Sequence, residues 1–166
     1  MALLDTNISG EEFISKITIK GGDLKTPIEI TDLKTLANVD VWSGPGTGWT
    51  GGAPKQAKNF VIDWSQGVAE HPKGLRRYEV CFYAKMPNER LVYVVFYECD
   101  PATKHGYIYL PGKTDEWYRL NVSTIIHGVE GHWFRARNGW DSVAQRFIAG
   151  VAAAANQGVQ GGRGRT

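Results

Sequence analysis

The chain has little cysteine: Cys81 and Cys99 are the only two in 166 residues, too few for the disulfide-dense scaffolds of small exported domains. It has no run approaching the ~18 apolar residues of a membrane span. Its opening stretch, Met1 to Phe13, holds neither a basic cluster nor an apolar segment of signal-peptide length. No membrane partner is expected, and the default compartment is cytoplasmic, or extracytoplasmic if an export signal was removed ahead of Met1. Charge of one sign is not in excess either: 19 lysines and arginines stand against 17 aspartates and glutamates, for a formal net charge of +2. Nucleic-acid binding draws on clustered basic side chains, and the nearest cluster is Arg163 and Arg165 on a glycine-rich end that reads as a frayed terminus. No nucleic-acid partner is expected. No internal repeat or linker interrupts the sequence, so residues 1–156 read as a single domain and 157–166 as a flexible Gly/Arg tail.

What the chain does hold in quantity is glycine, 20 residues, and tryptophan, 6. That pairing suits a turn-rich, largely β fold with large aromatics to place. The densest glycine stretch is Val41 to Pro54, VWSGPGTGWTGGAP, in which Gly46-Thr47-Gly48-Trp49-Thr50-Gly51 matches the G-x-G-x-x-G string of dinucleotide sites. Such a site needs its glycines between a strand and a helix whose N-terminus holds the pyrophosphate. Here Pro54 and the polar KQAKN follow and lead into Phe60-Val61-Ile62-Asp63-Trp64, which reads as a strand. No lysine follows as a P-loop requires. The stretch is therefore expected to be a loop that carries Trp42 and Trp49, and no cofactor is expected.

Alternation gives the clearest structural signal. Ile17 to Lys20 and Pro27 to Ile30 read as short strands, after which Thr31 or Asp32 can cap a brief helix through Leu36. Ser9 and Glu12 have capping-box spacing for an earlier helical turn. Arg77 to Lys85 and Arg90 to Glu98 read as a long hairpin. A two-residue loop at Pro87-Asn88 would pair Tyr78 with Tyr97, Val80 with Val95, Phe82 with Tyr93 and Arg77 with Glu98. A three-residue loop would instead turn the second strand over. Tyr107 to Leu110 adds a third strand. Residues 115–134 fit a helical stripe and an alternating strand about equally, and the reading leans to helix. From Asn138 to Asn156 the stripe Trp140, Val143, Ala144, Phe147, Ile148 and Val151 predicts one amphipathic helix. The expected fold is α+β: an antiparallel meander of about five to seven strands, with this C-terminal helix packed on it.

In the two-residue register the two cysteines lie on opposite faces, and in the three-residue register they are about 13 Å apart at strand rise, beyond the ~7 Å between Cα atoms that a disulfide needs, so both are expected free. The densest polar cluster is His127, Glu130 and His132, ligand types suited to zinc. Its spacing is not that of a helical metal motif, and Gly128 and Gly131 interrupt it. A glycine-punctuated turn with exposed histidines is expected, and no metal. Asp63, Asp115, Glu116 and Arg119 share no face that spacing can establish. Asn121-Val122-Ser123 is a glycosylation sequon only in a secretory setting.

The aromatic supply is the better lead, because tryptophan and tyrosine are enriched where proteins grip partners. Trp64, Trp133 and Trp140 lie in core-like runs, whereas Trp42 and Trp49 have no evident packing partner. The leading expectation is a noncatalytic binding or assembly module with a protein partner or self-association. Its binding residues would be Trp42, Trp49, Gly46 and Gly48, or a sheet face. One alternative is a small hydrolase or metal- or ligand-binding enzyme with a dispersed site from Asp63, His127, Glu130 and His132. Another is carbohydrate binding by stacking on Trp42 and Trp49.

Overall fold

The β-branched and aromatic runs pair into one antiparallel sheet, seen in a computed structural model that describes residues 13–42, 60–85, 87–100 and 102–161, with side chains as far as Val151 in the last helix. Its strands are β1 (Ile14–Gly21), β2 (Ile28–Ile30), β3 (Arg77–Lys85), β4 (Glu89–Cys99), β5 (Gly106–Leu110) and β6 (His132–Arg135). They run in the order β2-β1-β3-β4-β5-β6. Helices α1 (Leu33–Leu36), α2 (Tyr118–Thr124) and α3 (Asn138–Gly161) complete the α+β architecture. The capping-box turn at Ser9 to Glu12 lies outside the described residues. No described helix is long and apolar enough to cross a membrane.

The hairpin follows one register over most of its length and another at its turn. From Arg77 opposite Glu98 to Phe82 opposite Tyr93 the pairing is the one a two-residue loop dictates. It then shifts, so that Tyr83 faces Leu91 and Lys85 faces Glu89. Val92 is the extra residue, a bulge that absorbs the difference in loop length without turning the buried set over.

Because side chains alternate, each strand sends every second residue to one side. Ile17, Ile19, Val80, Phe82, Tyr93, Val95, Tyr97 and Ile108 form the fully buried side. Trp140 of α3 packs there against Phe82 and Tyr97, and Ala144 is sealed beneath the helix. Asp141, one residue beyond Trp140, is also buried: its carboxylate accepts the Tyr97 hydroxyl at 2.8 Å and the Gly106 amide at 3.2 Å. The buried Asp141 carboxylate is thereby paired, as burial requires.

The segment at Phe60 to Trp64, expected as a strand, makes a single bridge between Ile62 and Ala136 and then a 3-10 turn at Trp64–Gln66. Asp63 caps that turn, accepting from the amide and hydroxyl of Ser65. The apolar run is there to fill the core, where Phe60, Val61 and Ile62 are all buried, and not to extend the ladder. Residues 115–134 likewise divide. Only Tyr118–Thr124 are helical and His132–Arg135 are strand, because Gly128 and Gly131 take positive φ between them.

Helix α2 has a specific structural task. β5 pairs with β4 only from Phe96 onward, which leaves the main-chain groups of Val94 beyond its end. Asn121 takes the place of a strand: its Oδ1 accepts the Val94 amide at 2.8 Å and its Nδ2 donates to the Val94 carbonyl at 2.7 Å. Thr124 Oγ1 donates to the Val92 carbonyl at 2.7 Å. Asn121 is fully buried with its carboxamide engaged, so the sequon is not presented at the surface of the fold.

Both thiols are free, Cys81 buried and Cys99 half-buried. Burial pushes the Cys81 thiol up to about 11 and raises that of Cys99 as well. The thiolate is the reactive form, and a raised value keeps both groups protonated near neutral pH. Thiol-reagent labelling of native protein at pH 8 is therefore expected to be slow at both positions and to become rapid on unfolding. Fast native labelling of Cys81 would contradict the buried placement.

Candidate recognition face

The second side of the sheet faces away from Trp140 of α3, and its character changes across the strands. Over β1, β3 and the start of β4 it is a lattice of opposite charges: Lys20 meets Glu79 at 3.1 Å, and Lys16 meets Glu89 at 3.4 Å while lying over the Tyr83 ring. Over β4, β5 and β6 the same alternation delivers Phe96, Tyr109 and Trp133 in a row. Phe96 faces Tyr109 across one ladder and Tyr109 faces Trp133 across the next. Their ring centroids are 6.4 and 5.2 Å apart, and all three residues are half-buried.

Arginine caps this row. The Arg77 guanidinium lies 5.4 Å from the Phe96 ring and 5.6 Å from the Trp133 ring, while its Nε donates to Glu98 Oε2 at 3.0 Å. Glu98 is buried, and its other oxygen lies 3.5 Å from His71 Nε2. His71 stacks on Trp133 at 3.6 Å, with the planes 23° apart. It is brought there by the chain from Gly67, which runs along β6 through the bridge of Val68 to Phe134 and the bond from the Ala69 amide to the Trp133 carbonyl. Arg135 lies over the Tyr107 ring at 5.3 Å. The Tyr109 hydroxyl donates to Asp115 Oδ2 at 2.7 Å, and burial together with that bond pushes its pKa up to about 12. Every ring and guanidinium in the row is thus held by a neighbour, so little rotamer freedom remains to be lost on contact with a partner. Arg77 remains half exposed, its side chain at 54%.

The binding residues read from the glycine-tryptophan loop fare differently. Trp49, Gly46 and Gly48 lie outside the described residues. Trp42 is half-buried and packs against the hydrophobic core, so it has the packing partner that the local sequence does not reveal. The residues of the dispersed hydrolytic reading each have a structural partner or an exposed position. Asp63 caps the 3-10 turn, and Glu130 accepts the amides of His127 and Gly128 at 2.7 and 2.9 Å. His127, expected to be exposed, is buried instead, its ring 4.9 Å from Trp64 and 5.4 Å from Phe60. An imidazole is a flat, partly apolar ring, and here it completes an aromatic cluster with Tyr93. His132 is exposed, as expected. Among the described residues no group of three or more His, Cys, Asp or Glu side chains is arranged to hold a metal ion. Asp115 is tied to Tyr109 and the Gly112 amide, while Glu116 and Arg119 are exposed.

Local pattern puts Trp133 in a core-like run and Tyr107 to Leu110 in a strand, and it does not single out Phe96 or His71. Phe96 was accessible: once Arg77 pairs with Glu98, two residues back along β4 is Phe96 on the same side. His71 leaves no such signal, because it arrives from an irregular segment whose path depends on β6. The chain matches no protein-family model, no curated protein and no solved structure.

Proposed function

We propose that the chain is a noncatalytic binding module that engages a protein partner, or a second copy of itself, through the aromatic half of this sheet face. The observation that carries the reading is the preset row Phe96, Tyr109 and Trp133, bridged by an Arg77 whose guanidinium is anchored on buried Glu98. Tryptophan, tyrosine and arginine are the residues that dominate binding hot spots, and they do so best when already ordered. A protein partner suits the face better than nucleic acid. Its other half alternates lysine with glutamate, whereas tracking a phosphate backbone needs cations unrelieved by acids.

The test is sedimentation over a concentration range together with affinity capture, run on the full chain and on Trp133→Ala, Arg77→Ala and Lys20→Ala. Trp133→Ala and Arg77→Ala are each expected to weaken association by about tenfold or more, the ~1.4 kcal/mol or greater typical of hot-spot truncation. Lys20→Ala, in the charged half, is expected to leave it unchanged. A strictly monomeric chain that captures no partner removes the reading.

A further inference from the structure

On the helix-covered side of the sheet, where α1 and the start of α3 meet the segment at Phe60, lies a cavity of about 560 Å³. That size falls within the range of small-molecule sites. Its wall combines an apolar floor with positive charge. Val39, Phe60, Val61 and Val143 supply the floor, and Lys34, Arg137 and Arg146 supply the charge. Among the described wall residues the one carboxylate, Asp32, is occupied: its Oδ2 accepts from the amide and hydroxyl of Thr35 at 3.1 and 2.6 Å.

Two wall residues also keep a buried N–H donor without an acceptor among the described residues. Trp140 is 3% exposed, and its Nε1 has no partner. Arg137 Nη1 is likewise buried and unpaired. The main chain holds Arg137 in place, since its amide donates to the Val61 carbonyl at 2.8 Å and its carbonyl accepts the Asp141 amide at 3.0 Å. A buried donor left unmatched is costly and uncommon in folded proteins. Gly139, in the first turn of α3, lines the same cavity. The electropositive end of a long helix therefore adds to the field of the arginines.

The geometry points to a binding site for a small organic anion: a carboxylate that would pair with Arg137 and Trp140 Nε1, joined to an apolar or aromatic body that would lie on Phe60 and Val143. The site is separate from the sheet face proposed above, and neither reading depends on the other.

Ligand-observed NMR titration of the full chain, with thermal denaturation as a second readout, tests it using benzoate, the isosteric neutral benzamide and inorganic phosphate. Benzoate is expected to bind saturably and to raise the midpoint, with benzamide and phosphate each about tenfold weaker or more, since a charge-assisted bond is roughly twice as strong as a neutral one. Arg137→Gln is expected to abolish the preference for benzoate over benzamide. The double variant Lys34→Gln, Arg146→Gln alters exposed side chains only and so keeps the test decisive if Arg137→Gln fails to fold. It is expected to weaken benzoate several-fold and to reduce the salt dependence of binding. Equal binding of benzoate and benzamide, phosphate binding as tight as benzoate, or unaltered benzoate binding in the double variant would each overturn the proposal. So would the lack of saturation up to about 10 mM, beyond the weak end of the ordinary affinity scale.

Discussion

A Gly106→Ala variant is expected to lose on the order of 3 kcal/mol of folding stability, at the upper end of overpacking penalties. A methyl group at this position would overlap Asp141 Oδ1 and the Tyr97 ring, and neither can step aside. Tyr97 is fully buried beneath Trp140, and the Asp141 carboxylate is held by the Tyr97 hydroxyl and by the amide of Gly106 itself. Making room for one methyl therefore breaks the polar link that ties α3 to β4 and β5. Urea denaturation should show a lowered midpoint at unchanged slope. Gly150 provides the contrast: it is exposed in the same helix and an added methyl would meet nothing within 4 Å. There alanine should stabilise by up to ~1 kcal/mol through helix propensity and lost unfolded-state freedom. If the two glycine variants behaved alike, the packing described around Tyr97 would be wrong.

The second large effect is expected at Asn121. Asn121→Ala leaves both the amide and the carbonyl of Val94 buried and unmatched in the central strand, and an orphaned buried polar group costs about 1–3 kcal/mol, so a loss of roughly 2–4 kcal/mol follows. Asn121→Asp restores an acceptor but supplies no donor for the Val94 carbonyl and adds a buried charge. It should be no better. Native-state hydrogen exchange gives a readout specific to this bond, because the Val94 amide should lose protection in Asn121→Ala out of proportion to its neighbours in β3 and β4. Retained protection at Val94 would show that the carboxamide is not its partner.

These two positions show where sequence reading stops. The chemistry of Gly106 and Asn121 is local, but their importance is not, since each matters because of a residue 35 or 27 positions away. A glycine at the head of a strand and an asparagine in a sequon carry no mark of those encounters. The same holds for Trp42 and His127. Local sequence presents one as a loop aromatic and the other as an exposed imidazole, because the segments around them are short and glycine-rich, and both are nevertheless drawn into apolar surroundings. Phe60–Trp64 shows the limit from the other direction. A β-branched and aromatic run specifies burial, and whether burial comes with ladder pairing depends on whether an adjacent strand edge is free to accept it.

The features legible along the chain are those set by period. Twofold alternation is enough to define β1, β3, β4 and β5, to pair Arg77 with Glu98, and so to separate the side that packs against α3 from the other. The stripe from Trp140 to Val151 is enough to define the helix that covers it. Those patterns depend on neighbours two to four residues apart, where backbone geometry translates spacing directly into direction. The aromatic row under Arg77, the carboxamide that extends β4, and the cationic cavity beside α3 are assembled from segments distant in sequence. Their positions follow from strand order, the Val92 bulge and the path of irregular chain, and these are settled by the packing of the whole fold.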